Sequence, residues 1–269
     1  MPLNTDLARP LLLCRSCRHV FWDAFPSDDE IEAHYAAAYT EKHDQASIQA
    51  ENRSYYRAHA LHLLNLAKRS PEETSILDFG CSYPTFLEEA KAMGFLRTVG
   101  VEPATQIDSD IVEIIRPNEV GNLDNESFDV VRFCHVLEHL PDPKAVLQAV
   151  LKKVKPGGLV YVGQPCFPVF KYKRGGPPPD MAVYPEHLQF FNPISLAHMV
   201  ESSGLRIHHL FTHQKESEVF EKRRAYIDIP YAWIKMRRLR SAIDQPRPLG
   251  GYPKYCGTGS AMYAYKSGP

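Results

Sequence analysis

The sequence predicts an α/β fold in which a largely parallel β-sheet is covered by helices on both faces. Three observations predict it. From residue 75 onward, short apolar runs alternate with stretches of helical period, the βαβα order that buries a parallel sheet between helix layers. The first run, "SILDFG", passes through a glycine turn almost directly into the amphipathic "YPTFLEEAKAMGF". The helical stretches end at glycine-bearing turns, Gly94, Pro156-Gly157-Gly158 and Gly204, as helix C-termini do.

The chain opens with "LLLCRSCRHVFWDAFPSDDEIEAHYAAAYTEKHD", in which Cys14 and Cys17 have the two-residue gap of a zinc knuckle. A structural zinc takes about four ligands. No second CxxC precedes or follows, so His19 and a distant cysteine would have to complete the set; the expectation is a remnant turn without metal. Ser27 and Glu30 form a capping box that starts a helix with Ile31, His34, Tyr35 and Ala38 on one face. Residues 45–69 read as a second helix. Residues 1–70 are therefore expected to be a knuckle remnant with a helical cover, and 71–269 the main domain.

Within that domain strands are expected at 75–79, 97–101, about 111–115, 128–133, 158–163 and 205–211, and helices over about 84–93, 142–153 and 193–203. The polar stretch 213–257 reads as an insertion. Its basic run "KMRRLR" is a solvated helix face in the ordinary case, with an acidic substrate or phosphate contact as the alternative. The final "SAMYAYK" alternates like an edge strand.

Composition narrows the function. A chain of 269 residues with 44% hydrophobic and 23% charged residues suits one core with appended pieces. A formal charge of −1 supplies no global field for a polyanion, so nucleic acid is not an expected partner. No apolar run approaches the roughly 20 residues that span a bilayer, and "MPLNTDLARP" lacks the regions of a signal peptide. A cytoplasmic protein without a membrane partner is expected. Cysteines 14, 17, 81, 134, 166 and 256 are too sparse for a disulfide framework and read as reduced thiols.

Open α/β sheets bind ligands beyond the carboxyl ends of their strands. The residues there are Asp78, Phe79, Gly80, Cys81 and Ser82 after the first strand, Glu102 and Pro103 after the second, Cys134, His135 and Val136 after the fourth, and Gln164 and Pro165 after the fifth. With "ILDFGCSYPTFL", "VGVEP", "FDVVRFCHVLEHLPDPKAVLQAVLKKVKPGGLVYVGQP" and "PEHLQFFNPISLAHMVESSGL" in this order and spacing, the chain resembles class I S-adenosylmethionine-dependent methyltransferases, in particular the small-molecule branch with a cysteine-containing N-terminal segment.

The resemblance implies a Rossmann-like, seven-stranded, mostly parallel sheet whose antiparallel last strand is the inserted edge "SAMYAYK". It implies S-adenosyl-L-methionine as cofactor and a small-molecule substrate, of natural-product or sugar type, methylated most readily at a hydroxyl oxygen; a homodimer is a further candidate. Carried over by position, Asp78 and Gly80, with neighbouring Phe79, Cys81 and Ser82, would lie against the methionine portion. Glu102, followed by Pro103, would accept from the ribose hydroxyls. Asn122 and Leu123 are the nearest match to an adenine wall, Cys134 flanks the pocket, and an aromatic lid residue corresponds to Tyr39. His135 or His187 would take the substrate proton.

A nicotinamide dehydrogenase also places an acid about 20 residues beyond its glycine turn. That fingerprint needs G-x-G-x-x-G, whereas here one glycine follows an acid that would repel phosphate. The chain departs from the methyltransferase pattern at Ser82, strained if the turn needs positive φ there, and at Pro84, which a first helical turn accommodates. It also departs between Glu102 and Phe128, too short for a full helix plus an adenine segment. These departures keep an alternative in view, a methyltransferase-fold binding or accessory protein. His135 and His139 have a helical metal spacing but show no third ligand, so no metal is expected there; Cys81 and Cys134 read as packing thiols rather than nucleophiles.

Overall fold

A computed structural model describes residues 2–3, 10–27, 29–31, 33–34, 52–167, 184–213, 227–228 and 259–266. Tyr39, the expected lid residue, and nearly all of the 213–257 insertion, including its basic run, lie outside these.

A small antiparallel sheet begins the chain. Its strands are β1 (Pro2–Leu3), β2 (Leu11–Leu13) and β3 (Val20–Trp22), and the turn between β2 and β3 carries Cys14 and Cys17. Its fourth strand, β9 (Gln189–Phe190), arrives from far along the chain and pairs Val20 with Phe190. Leu11, Leu13, Val20, Trp22, Leu188 and Phe190 form its apolar face. Among the described residues the N-terminal part thus holds a β-hairpin besides its helical segments; the apolar "LLL" and "VFW" alternate across the hairpin, a signal that the cysteine pair between them obscured. The helical turn at 29–34 starts as expected, with Ser27 N–H donating to Glu30 Oε2 at 2.8 Å.

The main sheet follows. Strands β4 (Ser75–Phe79), β5 (Arg97–Val101), β6 (Glu113–Ile115), β7 (Phe128–Cys134) and β8 (Val154–Pro165) run parallel. Beyond them lie β10 (Leu205–His213), the two-residue β11 (Ile227–Asp228) and β12 (Gly259–Lys266), in the order β11-β10-β12-β8-β7-β4-β5-β6. β12 is antiparallel to both β8 and β10. The last strand therefore alternates not because it is an edge but because it lies inside the sheet with a different helix layer on each face.

Helix α1 (Arg53–Ala67) lies on one face with α2 (Thr85–Ala92), burying Ala60, Leu63, Phe86 and Leu87 against Ile76, Val130 and Tyr161. Helices α3 (Pro143–Leu151) and α4 (Pro193–Ser202) cover the other face, with Leu147, Val150, Leu196 and Val200 on Leu77, Val131 and Val162. Among the described residues no helix is long and apolar enough to cross a membrane.

Candidate functional site

β4 is buried along its whole length because helices cover both sheet faces, and its carboxyl end leads directly into the turn 80–83. Gly80 has φ +73°, and a Cβ there would meet Val136 Cγ2 at 2.5 Å. Glycine is required both by the backbone and by the wall of β7's end pressed against it. Ser82 is left-handed as well, at φ +47°, which costs a non-glycine residue about 1 kcal/mol or more. Its N–H donates to Glu102 Oε2 at 2.9 Å, and this bond holds the turn. Pro84 is the N-cap of α2, at φ −75°, with its carbonyl accepting from Glu88 N–H at 2.9 Å. No side chain caps this helix end, so the positive end of α2 is presented where β4 stops.

Asp78 points beneath the turn, between the sheet and α2. Its neighbour across the parallel pair is Arg132 on β7, whose Nη1 donates to both carboxylate oxygens at 2.8 and 2.9 Å. The guanidinium also stacks over Phe86 of α2, 4.3 Å from the ring centre. Burial pushes the Asp78 carboxyl up and Arg132 pulls it back; the guanidinium, itself desolvated, is held charged by the carboxylate. Phe79, on the opposite face, packs against Phe133. Cys81 faces the core of α1 and α2, and burial pushes its thiol far up, leaving a packing thiol. Cys134 is half-buried against the same core.

At the end of β5, Glu102 is buried and its carboxylate accepts from Ser82 N–H and, at 3.1 Å, from Ala104 N–H. Pro103 is exposed. Residues 102–112 form turns and bends, with no helix between β5 and β6, as the short spacing required. Arg116 takes over the organisation of this loop, donating to the carbonyls of Glu102, Ala104, Thr105 and Ile107 at 2.8–3.4 Å. Asn122 and Leu123 need correction as an adenine wall. They end a short helical stretch, Pro117–Asn122, that runs away from β6, and Lys153, just before β8, donates to Leu123 O. That places them beside the amino ends of β7 and β8, at the opposite end of the sheet from Gly80. The segment adjoining the carboxyl end of β6 is Arg116–Pro117.

A third group gathers after β7. His135 is also left-handed, at φ +54°, its N–H donates to Gly163 O on β8, and its side chain is 42% exposed. Behind it Glu138 is buried, with His135 Nδ1 at 3.4 Å and His139 Nε2 at 3.9 Å from Oε1. Burial pushes the Glu138 carboxyl up, but the two histidines outweigh it and hold the carboxyl below its ordinary range. The His187 ring meets that of His139 at 4.7 Å. Both candidate bases therefore converge on Glu138 and His139. Candidate ligand atoms of Glu138, His139 and His187 lie together, a different grouping from His135 with His139. Gln164, at the end of β8, is fully buried with neither amide atom hydrogen-bonded among the described residues.

Arg132, Arg116 and Glu138 escaped the sequence reading. Arg132 had one signal, a charge inside an otherwise apolar strand; Glu138 had another, an acid between two histidines in "HVLEH". His19, which the knuckle needed as a ligand, instead contacts Gln189 Oε1 through Nε2 at 2.7 Å.

Residues 49–210 match the model of a methyltransferase domain. The chain belongs to this methyltransferase family. Curated relatives include ubiquinone biosynthesis O-methyltransferases from Neisseria meningitidis, 32% identical over 32% of this chain and 42% of the relative, and from Coxiella burnetii, 26% identical over 55% and 73%. The chain thus spans about two-fifths of the Neisseria relative. Among solved structures, a Burkholderia thailandensis 1,6-didemethyltoxoflavin-N1-methyltransferase with bound substrate and S-adenosylhomocysteine covers 99% of both chains at 13% identity, TM-score 0.56. A methyltransferase from Archaeoglobus fulgidus covers 80% and 94% at 19% identity, TM-score 0.50. These structures share the fold, and the Burkholderia protein holds S-adenosylhomocysteine. In this chain the uncapped α2 end, the left-handed turn 80–82 and the carboxylate of Glu102 lie together at the carboxyl ends of β4 and β5.

Proposed function

We propose that the protein transfers a methyl group to a hydroxyl oxygen of a small molecule. The observation that carries this is the Ser82–Glu102 bond, which joins the glycine turn to the acid of the neighbouring strand in one preformed edge. Glu102 would hold the ribose hydroxyls, as an acceptor-only carboxylate can, and the α2 N-terminus would hold the amino-acid carboxylate. When bound, S-adenosylmethionine supplies an already activated methyl electrophile. The chain's task is then to align the acceptor, keep water out and take a proton. His135, half exposed at the end of β7, is the group placed to take it. The oxygen acceptor draws support from curated relatives that are O-methyltransferases by name.

A second reading, a binding or accessory protein on the same fold, is favoured by Ser82 and the missing helix between β5 and β6. Calorimetry with S-adenosylhomocysteine separates the two. Glu102→Ala is expected to weaken binding by about 1–3 kcal/mol, the worth of hydrogen bonds to a charged group. His135→Asn, chosen because asparagine tolerates the left-handed backbone, is expected to leave that affinity intact and lower turnover about 10²- to 10⁴-fold. Absence of binding at millimolar ligand refutes the enzyme reading.

A further inference from the structure

We propose that Glu138, His139 and His187 form a site for a divalent transition-metal ion of the zinc class. Their candidate ligand atoms lie within 4.8 Å of one another. Ligands at tetrahedral bond lengths of about 2.0–2.1 Å would stand roughly 3.4 Å apart, so side-chain rotations of about an ångström close the set. Nothing in the reaction proposed above calls for these three residues as a unit, and the inference goes beyond that reading.

The surroundings are those of a metal site. His139 Nδ1 is 2.8 Å from the carbonyl oxygen of Glu186, which makes Nδ1 the protonated nitrogen and leaves the lone pair on Nε2, the atom aimed at Glu138. A second-shell carbonyl of this kind fixes the tautomer and aims a ligating imidazole. The backbone of each ligand is pinned: Leu188 N–H donates to Glu138 O at 2.7 Å, His139 N–H donates to Val136 O at 3.0 Å, and Trp22 Nε1–H donates to His187 O at 2.7 Å. The N-terminal sheet thus clamps His187 against the end of β7. Independently, Glu138 is 97% buried in solvent-accessible terms, and neither of its oxygens takes part in a well-formed hydrogen bond among the described residues. A desolvated carboxylate is commonly stabilised by a cation or by hydrogen-bond donors; here His135 Nδ1 stands 3.4 Å and His139 Nε2 3.9 Å from Glu138 Oε1, both longer than a direct hydrogen bond.

The donor set names the ion class. Two imidazoles and one carboxylate suit zinc or a neighbouring first-row ion, whereas magnesium and calcium prefer an all-oxygen shell. Three protein ligands also match the number found in sites that keep a further position open.

The test uses the full-length protein stripped by chelator, titrated with Zn²⁺ against a chromophoric competitor and with Co²⁺ for visible spectra. Stoichiometric binding is expected. His139→Ala and His187→Ala should each weaken it more than about 100-fold, beyond the 10- to 100-fold typical of losing a mere supporting residue, while the double variant Cys14→Ser, Cys17→Ser leaves it unchanged. In the unmodified protein the cobalt spectrum should show ligand-field bands without thiolate charge transfer, a readout that holds even where a variant folds poorly. No stoichiometric binding, binding that survives His187→Ala, or a thiolate band tracing the ion to the N-terminal cysteines each overturns the proposal. Because no methyl donor or acceptor is present, the outcome is separate from that of the calorimetric test of methyl transfer.

Discussion

The two ends of the candidate site differ in how their buried polar groups are satisfied. At the β4–β5 end the protein answers its own charges: Asp78 is held by Arg132, Glu102 by two backbone N–H groups, and the helix-less loop by Arg116. At the β7–β8 end Glu138 and Gln164 are equally buried, yet their side-chain atoms lack well-formed hydrogen bonds among the described residues. The first end is a scaffold complete before any ligand arrives. The second leaves a buried amide, that of Gln164, without hydrogen bonds among the described residues and holds its carboxylate by longer-range contacts to histidines, the pattern by which function is kept at the expense of stability.

The sharpest way to break this comparison is to open the scaffold. Arg132→Met removes the partner of a fully buried carboxylate, and breaking a buried pair from one side costs about 3–5 kcal/mol. Urea unfolding should show that loss, and adding Asp78→Asn should restore most of it, since the charge left stranded is then gone. If the double variant is no more stable than Arg132→Met alone, the pair is not what holds β4 to β7. S-adenosylhomocysteine affinity in the double variant then asks a separate question. Retained affinity assigns Asp78 to the scaffold; lost affinity assigns it to the methionine portion as well.

The opposite sign is expected at the other end. Gln164→Met keeps side-chain length while deleting an amide that is buried without partners among the described residues, whose desolvation penalty is about 1–3 kcal/mol. The variant should therefore unfold at higher urea concentration and, under the functional reading, turn over an accepted substrate more slowly. A destabilised Gln164→Met would show that the amide is satisfied in solution, and the contrast between the two ends would fail at that residue.

The same contrast explains what the sequence could reveal. The parallel strands and their helices were legible because burial on both faces leaves continuous apolar runs, as in "SILDF" and "FDVVRFC", and because Gly94 and Gly204 follow two helix ends, whereas Pro156-Gly157-Gly158, expected as a third such turn, lies inside β8 after a helix whose C-cap is Lys152. The left-handed strain at Ser82 was legible too, since one glycine has to serve a turn that bends twice. What could not be read was long-range. Asp78 and Arg132 are 54 positions apart and meet only through strand register. The clustering of His187 with Glu138 depends on β9 joining a hairpin some 170 residues earlier in the chain. Asn122 was misplaced because residue spacing does not tell which end of the sheet a short helical stretch reaches.

The smallest effect tests the scaffold end most finely. Ser82→Gly removes a left-handed strain of about 1–2 kcal/mol, but glycine also gives the unfolded chain more freedom, worth about 0.5–1 kcal/mol in the other direction. The N–H that donates to Glu102 is a backbone group and is kept. The expected net result is a stability gain between zero and about 1.5 kcal/mol, seen as a small upward shift in the urea midpoint with an unchanged slope. Cofactor affinity should follow the same direction, because a relaxed turn holds the edge between Gly80 and Glu102 with less competing strain. A loss larger than about 0.5 kcal/mol would exceed what the added chain freedom alone supplies once the strain is credited. It would mean that the Ser82 side chain makes a stabilising contact of its own, and that the cofactor end uses this residue rather than merely tolerating it.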